Sequence, residues 1–268
     1  MPNGSATTAV VTGAARGLGL AIAKQLHDRG HAVLMTDLDG DTVQEAARTV
    51  GPNAWGRAQD VRVADGHNEI AAEAASRGKL SVWVNNAGIL IAGDSWAQEA
   101  SRVQALLDIN VAGMMYGSAA AVKAMSGSGG AILNVASLSA FGPVPGLAAY
   151  AASKAAVKSF TTSLQGELNG ARIKIKACAL CPDVVNTAMV TEQAQEPGAA
   201  LLFSGPKPLT TEEVAARAMD LIESRQLVRV VPRYRGALIR GADIAPALGL
   251  KLLAGFKTVG LRRQRASR

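Results

Sequence analysis

Residues Thr12 to Gly19 read TGAARGLG, directly after a β-like apolar run, Ala9-Val10-Val11, and directly before a helix-like run from Leu20 to Leu26. A glycine turn between a strand and a helix leaves the first backbone N–H groups of the helix without partners. The helix dipole adds partial positive charge at the same place. A phosphate or pyrophosphate is favoured there. Gly13 suits the tight turn, Gly17 lets a ligand approach the backbone, and Gly19 lets the helix lie close on the strand. The spacing is T-G-x-x-x-G-x-G, not the G-x-G-x-x-G of the commonest dinucleotide turn, and alone it also fits a plain turn.

Apolar strand-like segments recur at 8–11, 32–36, 54–58, 80–85, 131–135, 173–180 and 227–231. Helical patterns lie between them near 18–29, 41–49, 65–76, 99–124, 149–168 and 211–224. This alternation predicts an α/β fold: a doubly wound, seven-stranded parallel sheet with helices on both faces and right-handed crossovers. A ligand then lies across the carboxyl ends of the strands, which the glycine turn, the NNAG segment at Asn85–Gly88 and Ser137 all follow. With 268 residues, 49% hydrophobic, the chain can bury one sizeable core. No linker interrupts the alternation, so residues 1–268 read as one domain, with a substrate loop at 188–208 and a basic C-terminal extension at 232–268. Residues 1–7 lack the features of a signal peptide, and no apolar run reaches about 20 residues, so a cytoplasmic location without a transmembrane helix is expected.

A second anchor is YAASK, Tyr150 to Lys154. The two end residues are four apart in a helical pattern and share one face. A phenol titrates near ~10, and a neighbouring ammonium is expected to lower that value, giving an acid/base for an alcohol oxygen. Such a pair is otherwise a common surface face. Here it occurs with the glycine turn, with NVASLS placing Ser137 thirteen residues before Tyr150, with NNAG at the end of an apolar run, and with Asn110 in LLDINVAG. From about Thr8 to Val231 this set, in this order, resembles the short-chain dehydrogenase/reductase family, which implies a Rossmann fold.

The resemblance implies a catalytic set of Asn110, Ser137, Tyr150 and Lys154. Tyr150 would exchange the proton of the substrate oxygen, and Ser137 would orient that oxygen. Lys154 would lower the Tyr150 pKa and hold the nicotinamide ribose. Asn110 would kink its helix and position a proton-relaying water. The cofactor site would comprise Gly13, Arg16, Gly17, Leu18, Gly19, Asp37, Asp60, Val61, Asn86, Ala87, Gly88, Tyr150, Lys154, Pro182, Val185 and Thr187. Asn85, Ala87 and Gly88 would line the adenosine and ribose, with Asn86 stabilising the turn through its side chain. Asp60 would meet the adenine amino group, and Thr187 and the Val185 backbone the carboxamide. Asp37 ends the second strand, where a carboxylate accepts ribose hydroxyls and repels a 2′-phosphate, favouring NAD over NADP. Arg16 argues for NADP. In CPDVVNTAM, Asp183 stands where the family pattern has glycine, which questions the local turn and sets a charge near the substrate mouth.

The lid residues Met189, Val190, Leu201, Leu202 and Phe203 are expected to line a pocket with Leu138, Phe141, Val144 and Leu147. Without an evident arginine cluster, an apolar secondary alcohol or ketone, sterol-, terpenoid- or lipid-like, is the expected substrate. Cys178 and Cys181 fall in a buried-strand pattern and read as structural thiols, and His27, His31 and His67 are scattered, so no metal is assigned. Residues 225–268 hold 11 Lys and Arg against one acid, Asp243, whereas residues 1–224 hold 17 against 20. The basic tail lacks the aromatic interleaving of a nucleic-acid surface. Leu248, Leu252, Phe256 and Val259 recur at helical spacing after Pro246, reading as a lid helix on the core or a weak membrane-surface contact. The family implies a homodimer through 99–124 and 149–168 or a homotetramer. Competing functions are an NADPH-dependent carbonyl reductase and a non-catalytic nucleotide-sensing or membrane-associated protein.

Overall fold

The computed structural model describes residues 7–205 and 207–266. Seven strands, β1 (Thr7–Thr12), β2 (Ala32–Asp37), β3 (Ala54–Ala58), β4 (Lys79–Asn85), β5 (Gly130–Val135), β6 (Ile175–Pro182) and β7 (Val228–Val231), form one parallel sheet in the order β3-β2-β1-β4-β5-β6-β7. The order reverses at β1, which is flanked by β2 and β4. The chain leaving β1 and the chain leaving β4 therefore run to opposite faces of the sheet, which sets the switch point of the topology at their carboxyl ends.

Adjacent residues of each strand feed opposite cores, as the two-residue period requires. Val11, Met35, Val84 and Leu133 pack with Ile22 and Leu26 of α1 (Gly17–Asp28), Val43 of α2 (Gly40–Val50) and Val214 and Met219 of α8 (Thr211–Glu223). Val10, Leu34, Trp83 and Ile132 pack with Ile70 of α3 (Ala64–Ser76), Met125 of α5 (Met114–Met125) and Leu168 of α6 (Ala148–Gly170). The doubly wound arrangement of the sequence reading is the one observed. β6 starts two residues later than expected, because Arg172, at φ +56°, turns the chain after α6.

The expected helix 99–124 is two helices, α4 (Ala100–Leu107) and α5, joined by a wide π-type turn at Asp108–Gly113. The stretch Ala100–Met125 is long and apolar enough to cross a membrane. In the fold it packs on α3, β4 and α6. The substrate loop is partly helical, with a short α7 (Ala188–Thr191) and a 3-10 turn at Pro197–Phe203.

The extension forms α9 (Arg233–Ile244) and α10 (Pro246–Ala266). The sequence reading found only the second, since Gly236 and Gly241 interrupt the first. Pro246 opens α10, its fixed φ suiting a first helical position. α10 seats on the 3-10 turn. Gly260 faces the Ala200 carbonyl so closely that a Cβ would overlap it, and Gln264 Nε2 donates to Glu196 O at 3.0 Å. Gly260→Ala is therefore expected to loosen α10 at a cost of about 1–3 kcal/mol. Limited proteolysis should show faster cleavage within 246–266 while the melting midpoint of the core barely moves; unchanged cleavage would contradict this seating.

Candidate functional site

The glycine turn is held by the next loop along the sheet. Asn86 Nδ2 donates to Thr12 O at 3.0 Å and to Gly13 O at 2.8 Å, while the Asn86 and Ala87 N–H groups both donate to Thr12 Oγ1 at 3.1 Å. Gly13 has φ +62°, and a Cβ there would lie 2.7 Å from Ala87 Cα, so only glycine lets the two loops touch. Among the described residues no side chain caps the N-terminus of α1, and no acid occupies its first turn, which leaves its amides turned to the crevice. The crevice is part of a cavity of about 1200 Å³. That exceeds the roughly 300–1,000 Å³ usual for one small ligand and leaves room for a dinucleotide beside a substrate.

Every residue assigned to the cofactor from the sequence lies on this cavity: Gly13, Arg16, Gly17, Leu18, Gly19, Asp37, Asp60, Val61, Asn86, Ala87, Gly88, Tyr150, Lys154, Pro182, Val185 and Thr187. Asn85 does not. The pleat of β4 sends it to the buried face with Trp83, where it accepts from Trp83 Nε1 at 2.8 Å and donates to Asn134 Oδ1 at 2.8 Å. Asp37 accepts from Ala15 N at 3.0 Å and Leu38 N at 2.8 Å, so its carboxylate also fastens the glycine turn. Arg16 is exposed and lies 3.7 Å from Glu192. The Arg62 guanidinium grips both Asp60 oxygens and holds that carboxyl below the usual carboxylate range. Thr187 begins α7 opposite Gly17, where a Cβ would sit 3.5 Å from Thr187 Cγ2.

Tyr150 and Lys154 lie one turn apart on α6, both buried, and Ser137 follows β5 on the same cavity. Ser137 Oγ accepts from Ser139 N at 3.2 Å, so the competing hydroxyl, Ser139, orients Ser137 through its backbone. Lys154 Nζ donates to Val135 O at 2.9 Å and lies 5.8 Å from the centre of the Tyr150 ring. Burial pushes the Tyr150 phenol up to about 12, with the Ser137 hydrogen bond acting the other way. Burial also pushes Lys154 down to about 8. Burial of the phenol thus acts against the lowering expected from Lys154. Asn110, in the π turn, accepts from Ile89 N at 2.8 Å and donates to Ile89 O at 2.9 Å and Ser153 Oγ at 3.1 Å. It clamps the strand-end loop beside Gly88, where a Cβ would meet Asn110 Oδ1 at 3.1 Å and Lys154 Nζ at 3.4 Å.

The substrate end differs from the sequence reading in three places. Asp183 keeps an ordinary backbone, its N–H donating to Val231 O at 2.8 Å, so this turn does not need glycine. Its carboxylate instead pairs with Arg235 Nε of α9 at 2.9 Å, and both residues line the cavity. An arginine therefore does reach the site, but answered by a carboxylate. Phe141 turns away into the cluster of Met114 and Val157, beneath Lys158 and Arg240, and Phe203 packs with Leu106 and Ile91. The apolar wall is made by Leu138, Val144, Leu147, Met189, Val190, Leu201 and Leu202, joined by Leu238, Leu252 and Phe256 of the extension. The helical spacing of Leu252 and Phe256 was the available signal for that last group. Cys178 and Cys181 are free and buried, and burial pushes both thiols up to about 12.

The family model described as short chain dehydrogenase matches residues 7–198. The 3-beta-hydroxysteroid dehydrogenase of Comamonas testosteroni is 34% identical over 183 residues, covering 68% of this chain and 72% of that one. The 2-(R)-hydroxypropyl-CoM dehydrogenase of Xanthobacter autotrophicus is 35% identical over 198 residues, covering 70% and 78%. A short chain dehydrogenase/reductase from Burkholderia phymatum, solved in complex with NAD, superposes with a TM-score of 0.79 at 25% identity, covering 90% of this chain and 94% of that one.

Burial of Lys154 has a measurable consequence. At about 8 in the folded protein against an ordinary 10.5, its proton is held more tightly by the unfolded chain. Below those values the folded state carries the full cost of a buried ammonium, on the order of 3 kcal/mol. Lys154→Met is expected to raise the urea midpoint at pH 7. The gain over wild type should shrink as pH rises from about 8 to 10.5, where the wild-type lysine sheds its charge. A variant less stable than wild type at pH 7 would count against a desolvated ammonium.

Proposed function

Because this chain belongs to the short-chain dehydrogenase/reductase family, whose members are NAD(P)-dependent oxidoreductases acting on CH–OH groups, we propose that it transfers hydride between NAD(H) and an apolar secondary alcohol or ketone, sterol-, terpenoid- or lipid-like. The observation that carries this reading is the meeting of Ser137, Tyr150 and Lys154 with the glycine turn in one cavity whose far wall is apolar. The glycine cradle and the uncapped start of α1 fit a pyrophosphate. The Asp37 carboxylate fits an unphosphorylated ribose and repels a 2′-phosphate. Arg16, which supports an NADPH reading, is turned toward Glu192.

When bound, the nicotinamide supplies the hydride acceptor, or the donor in the reverse direction. The substrate oxygen is held by Ser137 Oγ and Tyr150 Oη. At neutral pH the buried phenol is protonated, the form that gives a proton to a ketone oxygen. In oxidation Tyr150 Oη receives the hydroxyl proton, and the Lys154 ammonium favours the phenolate that does so. Asn110 keeps the Ile89 backbone, and with it the wall beside Gly88, in place. The paired Asp183 and Arg235 leave the substrate end without a net charge, which suits a neutral substrate. The protein acts in the cytoplasm as a homo-oligomer, with α4, α5 and α6 forming a dimer face, where Leu107 and Tyr116 are exposed. Its domain is continuous, the substrate loop and the extension serving as its lid.

Two substitutions test this reading. Asp37→Asn removes the charge and leaves one amide oxygen where two oxygens accept from Ala15 N and Leu38 N; the lost contact weakens both cofactors alike, so the preference for NAD over NADP, measured as the ratio of dissociation constants, should fall at least about tenfold through the charge alone. An unchanged ratio would remove Asp37 as the selector. Tyr150→Phe should lower kcat on a panel of apolar secondary alcohols, sterols included, by about 10²–10⁴ with NAD affinity unaltered. Undiminished NADH production in that variant would sink the assignment of Tyr150.

A further inference from the structure

We propose that the outer face of α9 and α10 docks on an anionic lipid bilayer, and that the substrate cavity opens through this face into the lipid. Leu238, Leu252 and Phe256 all line the cavity, yet they are 68%, 60% and 52% exposed. Lid side chains that only closed a pocket would bury that surface. Along α10, Leu248, Leu252, Phe256 and Val259 share one exposed stripe, which runs beside the side that Gly249, Gly260 and Gln264 bury. Tyr234 and Leu238, four apart, extend the apolar surface onto α9.

The rim identifies the occupant. Lys251 and Arg262 follow Leu248 and Val259 by three residues each, are exposed, and form no ion pair among the described residues. α10 carries no acid at all, and residues 225–268 hold 11 basic residues to one acid. Two copies of so basic a face repel each other, which disfavours self-association through it. An apolar stripe bordered by lysine and arginine matches the interface of a bilayer with anionic headgroups, where each basic residue near the surface adds about 1 kcal/mol. The continuity of stripe and cavity then gives a lipophilic alcohol a route from bilayer to Tyr150 that avoids water. This route rests on the apolar-substrate reading above, whereas docking itself does not.

The test is flotation of the full chain with vesicles of phosphatidylcholine containing about 30 mol% phosphatidylserine, beside vesicles of phosphatidylcholine alone. Wild type should float with the anionic vesicles and at least about tenfold less with the neutral ones. Leu248→Glu with Val259→Glu, and separately Lys251→Glu with Arg262→Glu, should each lower the bound fraction about tenfold while melting temperature and NAD binding stay unchanged. None of these four side chains lines the cavity. A wild type that stays in solution, variants that float as well as wild type, or substitutions that instead dissociate a dimer in sedimentation would each overturn the docking surface. For the route, turnover of a sterol presented in anionic vesicles should fall about fivefold in the charge-reversed variant, with a water-soluble alcohol turned over as before. Equal sterol turnover in both proteins overturns the route. Flotation without turnover of any alcohol overturns the substrate reading and leaves docking standing.

Discussion

Two loops leave the sheet side by side, after β1 and after β4, and the cavity they both line keeps its shape because their backbones are stitched together. Thr12 Oγ1 takes two N–H groups from the β4 loop, and Asn86 Nδ2 returns two hydrogen bonds to the β1 loop. Four polar groups that would otherwise be stranded in a narrow, partly dry place are satisfied at one point. With the loops fixed to each other, Gly13 can press on Ala87, α1 can start where it does, and its free amides face outward. Asp37 adds a third fastening through Ala15 N. The rest of the cavity is positioned relative to this stitch, since β5 and β6 deliver Ser137 and Pro182 from the same edge.

Beside the stitch lies a different economy of charge. Tyr150 and Lys154 are both drawn away from water, and each is displaced toward its neutral form, the phenol to about 12 and the ammonium to about 8. The two displacements bring a weak acid and a weakened base onto one helical turn. The geometry holding them is equally indirect. Asn110 reaches Ile89 and Ser153 from the widened turn at Asp108–Gly113, where Gly113 lies against the Val61 carbonyl.

Periodicity made the sheet and most of its helices legible, because strands that feed two cores must alternate or run apolar, and their helices must repeat near 3.6. The cavity lining was legible for the same reason that its motifs are short: each is a strand end and the turn after it. What escaped was set by long-range contact. Asn85 looks like its neighbours in NNAG, but the pleat of β4 decides that it faces Asn134 and not the ligand. Phe141 and Phe203 are apolar wherever they point, so composition placed them at the pocket and packing took them elsewhere. α9 hid behind two glycines, and its Arg235 could not be matched to Asp183, 52 positions earlier, without the fold. The upward push of burial on the Tyr150 phenol escaped because a neighbour's charge is visible in sequence and the loss of water is not.

The pairing of Asp183 with Arg235 couples two stretches of chain. Asp183 lies inside the region that matches the family model, which ends at residue 198, and Arg235 lies beyond it. A glycine placed at 183 leaves a guanidinium unanswered in the cavity wall, and a neutral residue placed at 235 leaves a carboxylate there instead. Either change alone strands a charge in a sparsely hydrated place. The two positions are therefore coupled in this chain. A chimera joining this core to another protein's C-terminal helices would work only if both halves of the pair travelled together, and the extension is less a detachable appendage than a second parent of the substrate pocket.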